Sequence, residues 1–366
     1  MSKQQQILRA TLAVLAAVAL LFGASRLPSA LWERIGQTMA IASVSLQQAE
    51  HTAERLSERL TRPTAQAAGS TAAPLVPPTG AEQQPLTEPT AKQPATDTAP
   101  PAENGSGGKV VEQTVGGGES VAGIRVKNKS SVALDLTAAL AADLPFTVEV
   151  GSPEPQVLIY HTHTTEGYMP YDAGYYNAGD VPRNTTYTNT VVAVGNALEA
   201  ELVAAGIAVI HDTTVHDSPQ YRGAYDRSAA AVEAILKQYP SIKVALDIHR
   251  DGLMVNSTDM LKPTVMVNGQ KAAQLMVVCG VLSTEALPHP AFRQNLSFAA
   301  RLQAALGEQN DRLCRPLSLT DARYNQHLTT GSLLIEVGSE ANTLKEATYS
   351  ARLLGQTLAA MWKEDV

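Results

Sequence analysis

Two imidazoles and a carboxylate crowd the end of an apolar run in Val157-Leu-Ile-Tyr-His-Thr-His-Thr-Thr-Glu166. Zinc takes such donors, and a catalytic zinc keeps about three protein ligands and one open position. Two later stretches repeat the pattern: Lys243-Val-Ala-Leu-Asp-Ile-His249 runs into an imidazole and Leu333-Leu-Ile-Glu336 into a carboxylate. His163, Glu166, His249 and Glu336 together offer a zinc site with a carboxylate beside it. Such a carboxylate takes a proton from water and delivers it to a leaving amine. His161 and His163 stand at i and i+2, which share one side of an extended segment, so one would be the ligand and the other a supporting or substrate contact. Each residue also has a plainer reading. A lone histidine at a strand end, such as His249, is more often structural, and Glu336 could be salt-bridged to Arg323 or Arg250. His211, His216, His289 and His327 read as solvated or structural.

These residues need elements to hold them. Residues 157–160, 207–210, 244–248 and 333–337 are short apolar runs without helical period and read as strands. Amphipathic helical patterns lie between and after them, over 189–205, 218–238, 292–309 and 344–363. Segments 264–267 and 275–280 suggest a hairpin turning on Asn268-Gly269. Alternation of strand and helix predicts an α/β fold, a twisted, largely parallel sheet with helices on both faces. In such sheets ligands bind beyond the carboxyl ends of the strands, where the three stretches above end. The Tyr- and Asn-rich loop 168–187 would wall a groove there.

The rest of the chain reads as anchor and spacer. In 366 residues the net charge is −7, which argues against a nucleic-acid partner. Lys3 and Arg9 precede an uncharged stretch, 10–25, closed by Arg26. Residues 10–27 are slightly short of the roughly 20 apolar residues of a spanning helix, and are expected to be an uncleaved transmembrane anchor, the alternative being a signal peptide cleaved at Gly23-Ala24-Ser25. Residues 1–9 would then be cytoplasmic and the remainder outside. Residues 28–62 read as an amphipathic helical stalk and 63–118, rich in Pro, Thr, Ala and Gly, as a disordered linker. Residues 119–152, with a strand from Ile124 and a short helix over 131–143, preface a catalytic domain of 153–366. Cys279 and Cys314 are too few for a disulfide scaffold and are expected to be buried thiols.

Taken in order, Ile159-Tyr-His-Thr-His-Thr-Thr-Glu166, Tyr187-Thr-Asn-Thr-Val-Val-Ala-Val-Gly195, Asp247-Ile-His-Arg-Asp251 and Tyr324-Asn-Gln before Leu334-Ile-Glu-Val-Gly-Ser-Glu-Ala-Asn-Thr343 resemble the stage II sporulation protein P family. The resemblance covers about 121–362. It implies a zinc-dependent peptidoglycan hydrolase related to the N-acetylmuramoyl-L-alanine amidases, acting in engulfment with the stage II sporulation proteins D and M. It also implies that His163 is the first zinc ligand, His249 another, and Glu336 the general base and then acid. The helix-opening position where the amidases carry an acidic ligand is here Asn189, a poor zinc ligand, so Glu166 stands in as the third. Arg250 is a candidate for stabilising an oxyanion or binding a substrate carboxylate. Two rivals remain: a septal wall-binding scaffold without activity, and a zinc endopeptidase of stem-peptide cross-links. The HExxH helix of common metalloproteases is absent.

Overall fold

The computed structural model describes residues 97–364, apart from 181–182 and 185–186. The expected anchor (10–27), the stalk (28–62) and the linker up to residue 96 lie outside the described residues. Among the described residues there are twelve strands and five α-helices. The strands are β1 (Gly108–Gln113), β2 (Glu119–Val121), β3 (Ile124–Asn128), β4 (Val157–Tyr160), β5 (Tyr175–Tyr176), β6 (Val209–His211), β7 (Val244–Asp251), β8 (Met260–Val267), β9 (Gln270–Ala273), β10 (Leu275–Gly280), β11 (Leu317–Thr320) and β12 (Gly331–Ser339). The helices are α1 (Leu136–Ala141), α2 (Val191–Ala204), α3 (Ala224–Gln238), α4 (Phe292–Gln309) and α5 (Leu344–Glu364).

The main sheet has the order β2-β3-β11-β10-β12-β7-β4-β6. Only the β2–β3 and β10–β12 pairs are antiparallel, so the sheet is largely parallel. The strands β12, β7 and β4 are consecutive and mutually parallel, which brings their carboxyl ends side by side. Alternation along β4 divides the core. Val157 and Ile159 join the large core with residues of α2, α4 and α5. Leu158 and Tyr160 face the other way, onto Val232 and Ile235 of α3. Helices therefore cover both faces, as a buried parallel sheet requires.

Two expectations are corrected here. Residues 108–113 belong not to a linker but to β1, which pairs with β5 and β8 in a second sheet, β5-β1-β8-β9. The glycines before it serve close approach rather than freedom: a Cβ on Gly107 would fall 2.0 Å from the Tyr176 carbonyl oxygen. The hairpin at Asn268-Gly269 pairs β8 with β9, while β10 leaves for the main sheet. Positive φ at both Asn268 (48°) and Gly269 (76°) is what a two-residue hairpin turn of that twist demands.

The second sheet is fastened to α5 by a buried cation. Lys262 of β8 is 1% exposed and its Nζ reaches Asp172 (2.5 Å) and Glu346 of α5 (2.8 Å). Removing one partner of a buried pair leaves an uncompensated charge. Lys271 lies 3.1 Å from Asp172 and compensates part of that loss. We expect Lys262→Met to lower unfolding free energy by about 3 kcal/mol, the lower end for a broken buried pair, read from urea denaturation. A loss below about 1 kcal/mol, the range of surface pairs, would show that the pair does not hold α5.

Candidate metal and catalytic site

Three strand ends build the site on the α3 face of the sheet. In β7, Val244, Leu246 and Ile248 enter the large core, so Asp247 and His249 point to the opposite face. In β12 the same alternation turns Glu336 away from Leu333, Ile335 and Val337, and Glu336 is paired in register with His249. A bulge follows Glu336, made at Gly338 (φ 70°), where a Cβ would meet Asn342 Oδ1 at 2.5 Å. After β4 the chain leaves the extended form at His161 and turns, which carries His163 to the α3 face beside His249. Their rings lie 5.2 Å apart, edge to face.

These groups border one cleft of about 420 Å³, lined by His163, Glu166, His249 and Glu336 with Tyr221, Tyr225 and Tyr324 around them. A cleft of about 530 Å³ lies beside Gln156 and Lys243, immediately before β4 and β7. It is at the amino ends of the strands and has no histidine.

The histidines carry opposite charge tendencies. Burial holds His163 down to about 4, with charged His249 adding to the effect, so His163 is neutral. Its Nε2 shares a 3.0 Å hydrogen bond with the Tyr221 hydroxyl, while its buried Nδ1 has no partner among the described residues. His249 is different. Burial disfavours its charge, but Asp247 and Glu166 overcome that and raise it well above the ordinary imidazole range. Its Nε2 is 2.8 Å from Asp247 Oδ1, close in charge though not aligned as a hydrogen bond, and its Nδ1 is 3.5 Å from Glu166 Oε2. Burial alone would raise Glu166, but His249, Arg250 and His163 outweigh it and hold it at about 2. Glu166 Oε2 also accepts the Arg250 amide at 3.2 Å, and Oε1 lies 3.3 Å from Arg183.

Glu336 stands apart from these ionised groups. Burial raises it to about 8, with Asp251 and Glu166 adding to the shift. Its Oε2 is buried without a hydrogen-bond partner, and no ion pair to Arg323 or Arg250 is present among the described residues. A half-buried carboxyl with one oxygen buried and unpaired, able to hold a proton near neutral pH, suits an acid–base role.

Zinc can be tested against these groups. Neutral His163 with an unpaired Nδ1, ionised Glu166, and His249 with Asp247 behind Nε2 are the right donor chemistry. A metal-bound histidine commonly gives its other nitrogen to a carboxylate or other acceptor, and Asp247 and Tyr221 stand in that relation to His249 and His163. Among the described residues no three His, Cys, Asp or Glu side chains already stand in a metal-holding arrangement. The Nδ1 proton of charged His249, which faces Glu166 at 3.5 Å, occupies the place where a cation would compete. The residues fit zinc in kind, and His249 must release Glu166 to bind it.

The remaining candidates go elsewhere. His161 faces α2: its Nδ1 donates to the Ile248 carbonyl at 2.9 Å, and its Nε2 lies 2.8 Å from His211 Nε2. Burial holds it at about 3, so His161 supports the peptide before His249 and is not a cleft group. The i, i+2 rule fails because the segment is a turn. Gly195 of α2 makes room for this pair, since a Cβ there would lie 2.5 Å from His211 Nε2 and 2.9 Å from His161 Cε1. Gly195→Ala should therefore destabilise the fold by about 1–3 kcal/mol, although Ala favours helix by roughly 1 kcal/mol. Thermal melting reads this, and an unchanged or higher melting temperature would contradict it. Arg250 borders the cleft, but it alternates to the face opposite His249, where its guanidinium donates to the carbonyls of Gly167 (3.2 Å) and Asp251 (3.4 Å). None of the described residues of the loop 168–187 lines the cleft: Tyr168 and Tyr171 are buried, and the Tyr168 hydroxyl donates to the Val337 carbonyl. Cys279 and Cys314 are buried free thiols, pushed by burial up to about 12.

Asp247 heads one of the motifs above but is given no role there, and Tyr221 and Tyr225 are not marked by the sequence at all. Asp247 had a readable signal, standing two residues before His249 on the same strand face. The tyrosines gave none, since α3 was expected to begin earlier than Ala224.

Comparison with known proteins follows the same residues. The family model for Stage II sporulation protein P (SpoIIP) matches residues 70–359. Stage II sporulation protein P of Bacillus subtilis (strain 168) is 27% identical over 218 residues, which is 56% of this chain and 51% of that protein. The chain thus spans about half the length of this curated relative. Among solved structures, N-acetylmuramoyl-L-alanine amidase AmiC2 of Nostoc punctiforme aligns over 59% of this chain and 98% of its own, at 13% identity and a TM-score of 0.34. The CwlD amidase from Clostridioides difficile, in complex with the GerS lipoprotein, aligns over 58% and 100% at 13% identity and a TM-score of 0.33. Neither value is high enough to carry function across. The family match covers most of the chain, and the chain belongs to the Stage II sporulation protein P family.

Proposed function

We propose that this chain is a zinc-dependent peptidoglycan hydrolase that cuts the amide between N-acetylmuramic acid and L-alanine. The observation that carries the reading is Glu336: a half-buried carboxyl raised to about 8, its Oε2 buried and unpaired, in register with His249, in a cleft shared with His163 and Glu166. His163, Glu166 and His249 would hold zinc. When bound, zinc supplies Lewis acidity that activates water and polarises a carbonyl. Asp247 orients the His249 ring from behind, and the hydrogen bond to Tyr221 does the same for His163. Glu336 receives the proton of the attacking water and returns it to the leaving nitrogen. Arg250 positions the loop that bears Glu166, through Gly167 and through its own amide.

In this reading the segment 10–27, uncharged as far as Ser25, anchors the chain in the cell membrane as a single span, with the catalytic domain on the outer, septal side. The substrate is peptidoglycan met during sporulation engulfment, and the stage II sporulation proteins D and M are the partners the family suggests. The test is to digest purified sacculi with the full-length protein and weigh the products by mass spectrometry. Free stem peptides with an L-alanine amino terminus and glycan strands stripped of peptide are expected. Cut cross-links with stems still on the glycan would replace the amidase by an endopeptidase. No release at all would leave only a wall-binding scaffold.

A further inference from the structure

Among the hydroxyls that line the cleft, that of Tyr225 stands beside both histidines. Tyr225 opens the first turn of α3, with its ring edge-on to His163 (centroids 5.5 Å apart) and parallel to His249 within 13° (6.4 Å). Its hydroxyl has no hydrogen-bond partner among the described residues, and the side chain borders the same cleft as Glu336. Tyr221 differs in that its hydroxyl is engaged with His163. Tyr324 packs on Tyr225 (5.7 Å) without a ring contact to either histidine.

The position of Tyr225 is held from two sides. Its carbonyl accepts from Asn325 Nδ2 at 2.9 Å, and the same Nδ2 lies 3.0 Å from Ser228 Oγ. Ser228 Oγ is 2.8 Å from Thr162 Oγ1, which donates to Asp247 Oδ2 at 2.6 Å. Asp247 in turn lies against His249. This run of short contacts fixes the first turn of α3 to the strand end that bears His249. Tyr324 and Asn325 both adopt positive φ, 45° and 58°. A bulky aromatic residue rarely does so, and such conformations gather where the surroundings enforce a geometry, often at functional sites.

We propose that Tyr225 is a further catalytic residue, whose hydroxyl donates a hydrogen bond to the carbonyl oxygen of the scissile amide as that oxygen gains charge. The proposal rests on the amide-hydrolysis reading above. In the step, the water oxygen bonds to the carbonyl carbon and the carbonyl electron pair moves onto oxygen. The pair then returns, the C–N bond breaks, and Glu336 passes the proton it took from water to the nitrogen. Tyr225 keeps its own proton throughout. A fixed donor aimed at developing charge favours the transition state over the bound substrate.

The test compares the full-length wild type with Tyr225→Phe, which keeps the ring against both histidines. Steady-state release of peptide from solubilised glycan–peptide strands gives kcat and KM, and zinc content and melting temperature are measured on the same preparations. Loss of one such donor lowers kcat by about 100- to 1,000-fold, with KM, zinc content and melting temperature near wild type. Three results would overturn the proposal: kcat within about threefold of wild type, a loss confined to KM, or loss of zinc together with activity. Each of these presumes an active wild type. An inactive wild type would instead overturn the hydrolase reading and this proposal with it.

Discussion

Glu336→Gln is expected to lower peptide release from sacculi by about a thousandfold or more, toward the upper range for a general acid–base group, while zinc content stays at the wild-type level. Gln has nearly the same volume but cannot take up and return a proton. The other carboxylates beside it are committed: Asp251, which also lines the cleft, is paired with Arg315 at 2.8 Å. Glu166 is held ionised at about 2 by His249 and Arg250, and Asp247 is fully buried behind His249. The substitution should not harm the fold, because Glu336 Oε2 has no hydrogen bond to lose and its burial already disfavours the charge. Melting curves, metal analysis and product release on one preparation decide the matter. Release at the wild-type rate would remove Glu336 from the chemistry, and loss of zinc would make it a ligand.

His249→Ala should have two effects. It removes a proposed ligand, so zinc content should fall to near zero after dialysis. It also removes the cation that faces two buried carboxylates, Asp247 at 2.8 Å and Glu166 at 3.5 Å. Breaking a buried pair by deleting one partner costs about 3–5 kcal/mol, so the variant should also unfold at clearly lower urea concentration than wild type. Thr162 softens the loss at Asp247 through its amide and hydroxyl, which places the expected cost toward the lower figure. Zinc content equal to wild type would sink the ligand assignment. Unchanged stability would show that the two carboxylates do not depend on His249.

The core of this site was legible because the chemistry sits where apolar strands stop. Val157 to Tyr160, Val244 to Ile248 and Leu333 to Ile335 announce buried strands, and the His or Glu at or beyond each end is costly there without a purpose. Parallel pairing then forces those ends together. Where the chain departs from strand geometry the reading failed. His161 and His163 separate because the segment turns after Tyr160, so a period-2 argument had nothing to act on. Strand β1 was hidden among glycines that look like a linker, yet Gly107 and Gly108 are there because carbonyls of Tyr176 and Thr258 approach within about 2 Å of where a Cβ would be. Strands β8 and β9 were missed as partners because the run 275–280 is the more apolar, and it is apolar because the main sheet buries it between β11 and β12. Tyr225 has no pattern to mark it, and Tyr324, though part of a recognisable motif, has no role that the motif reveals. Their place depends on the late start of α3 after Gly223 and on a left-handed backbone at Tyr324.

The central claim is that His163, Glu166 and His249 hold one zinc beside Glu336. Zinc K-edge X-ray absorption on the full-length protein tests it most directly, with His163→Ala as comparison. About one zinc per chain in the low-coordinate range of catalytic sites is expected, with imidazole scattering that disappears along with the metal in the variant. A protein that retains no zinc, or a zinc whose surroundings are unchanged by loss of His163, would contradict it.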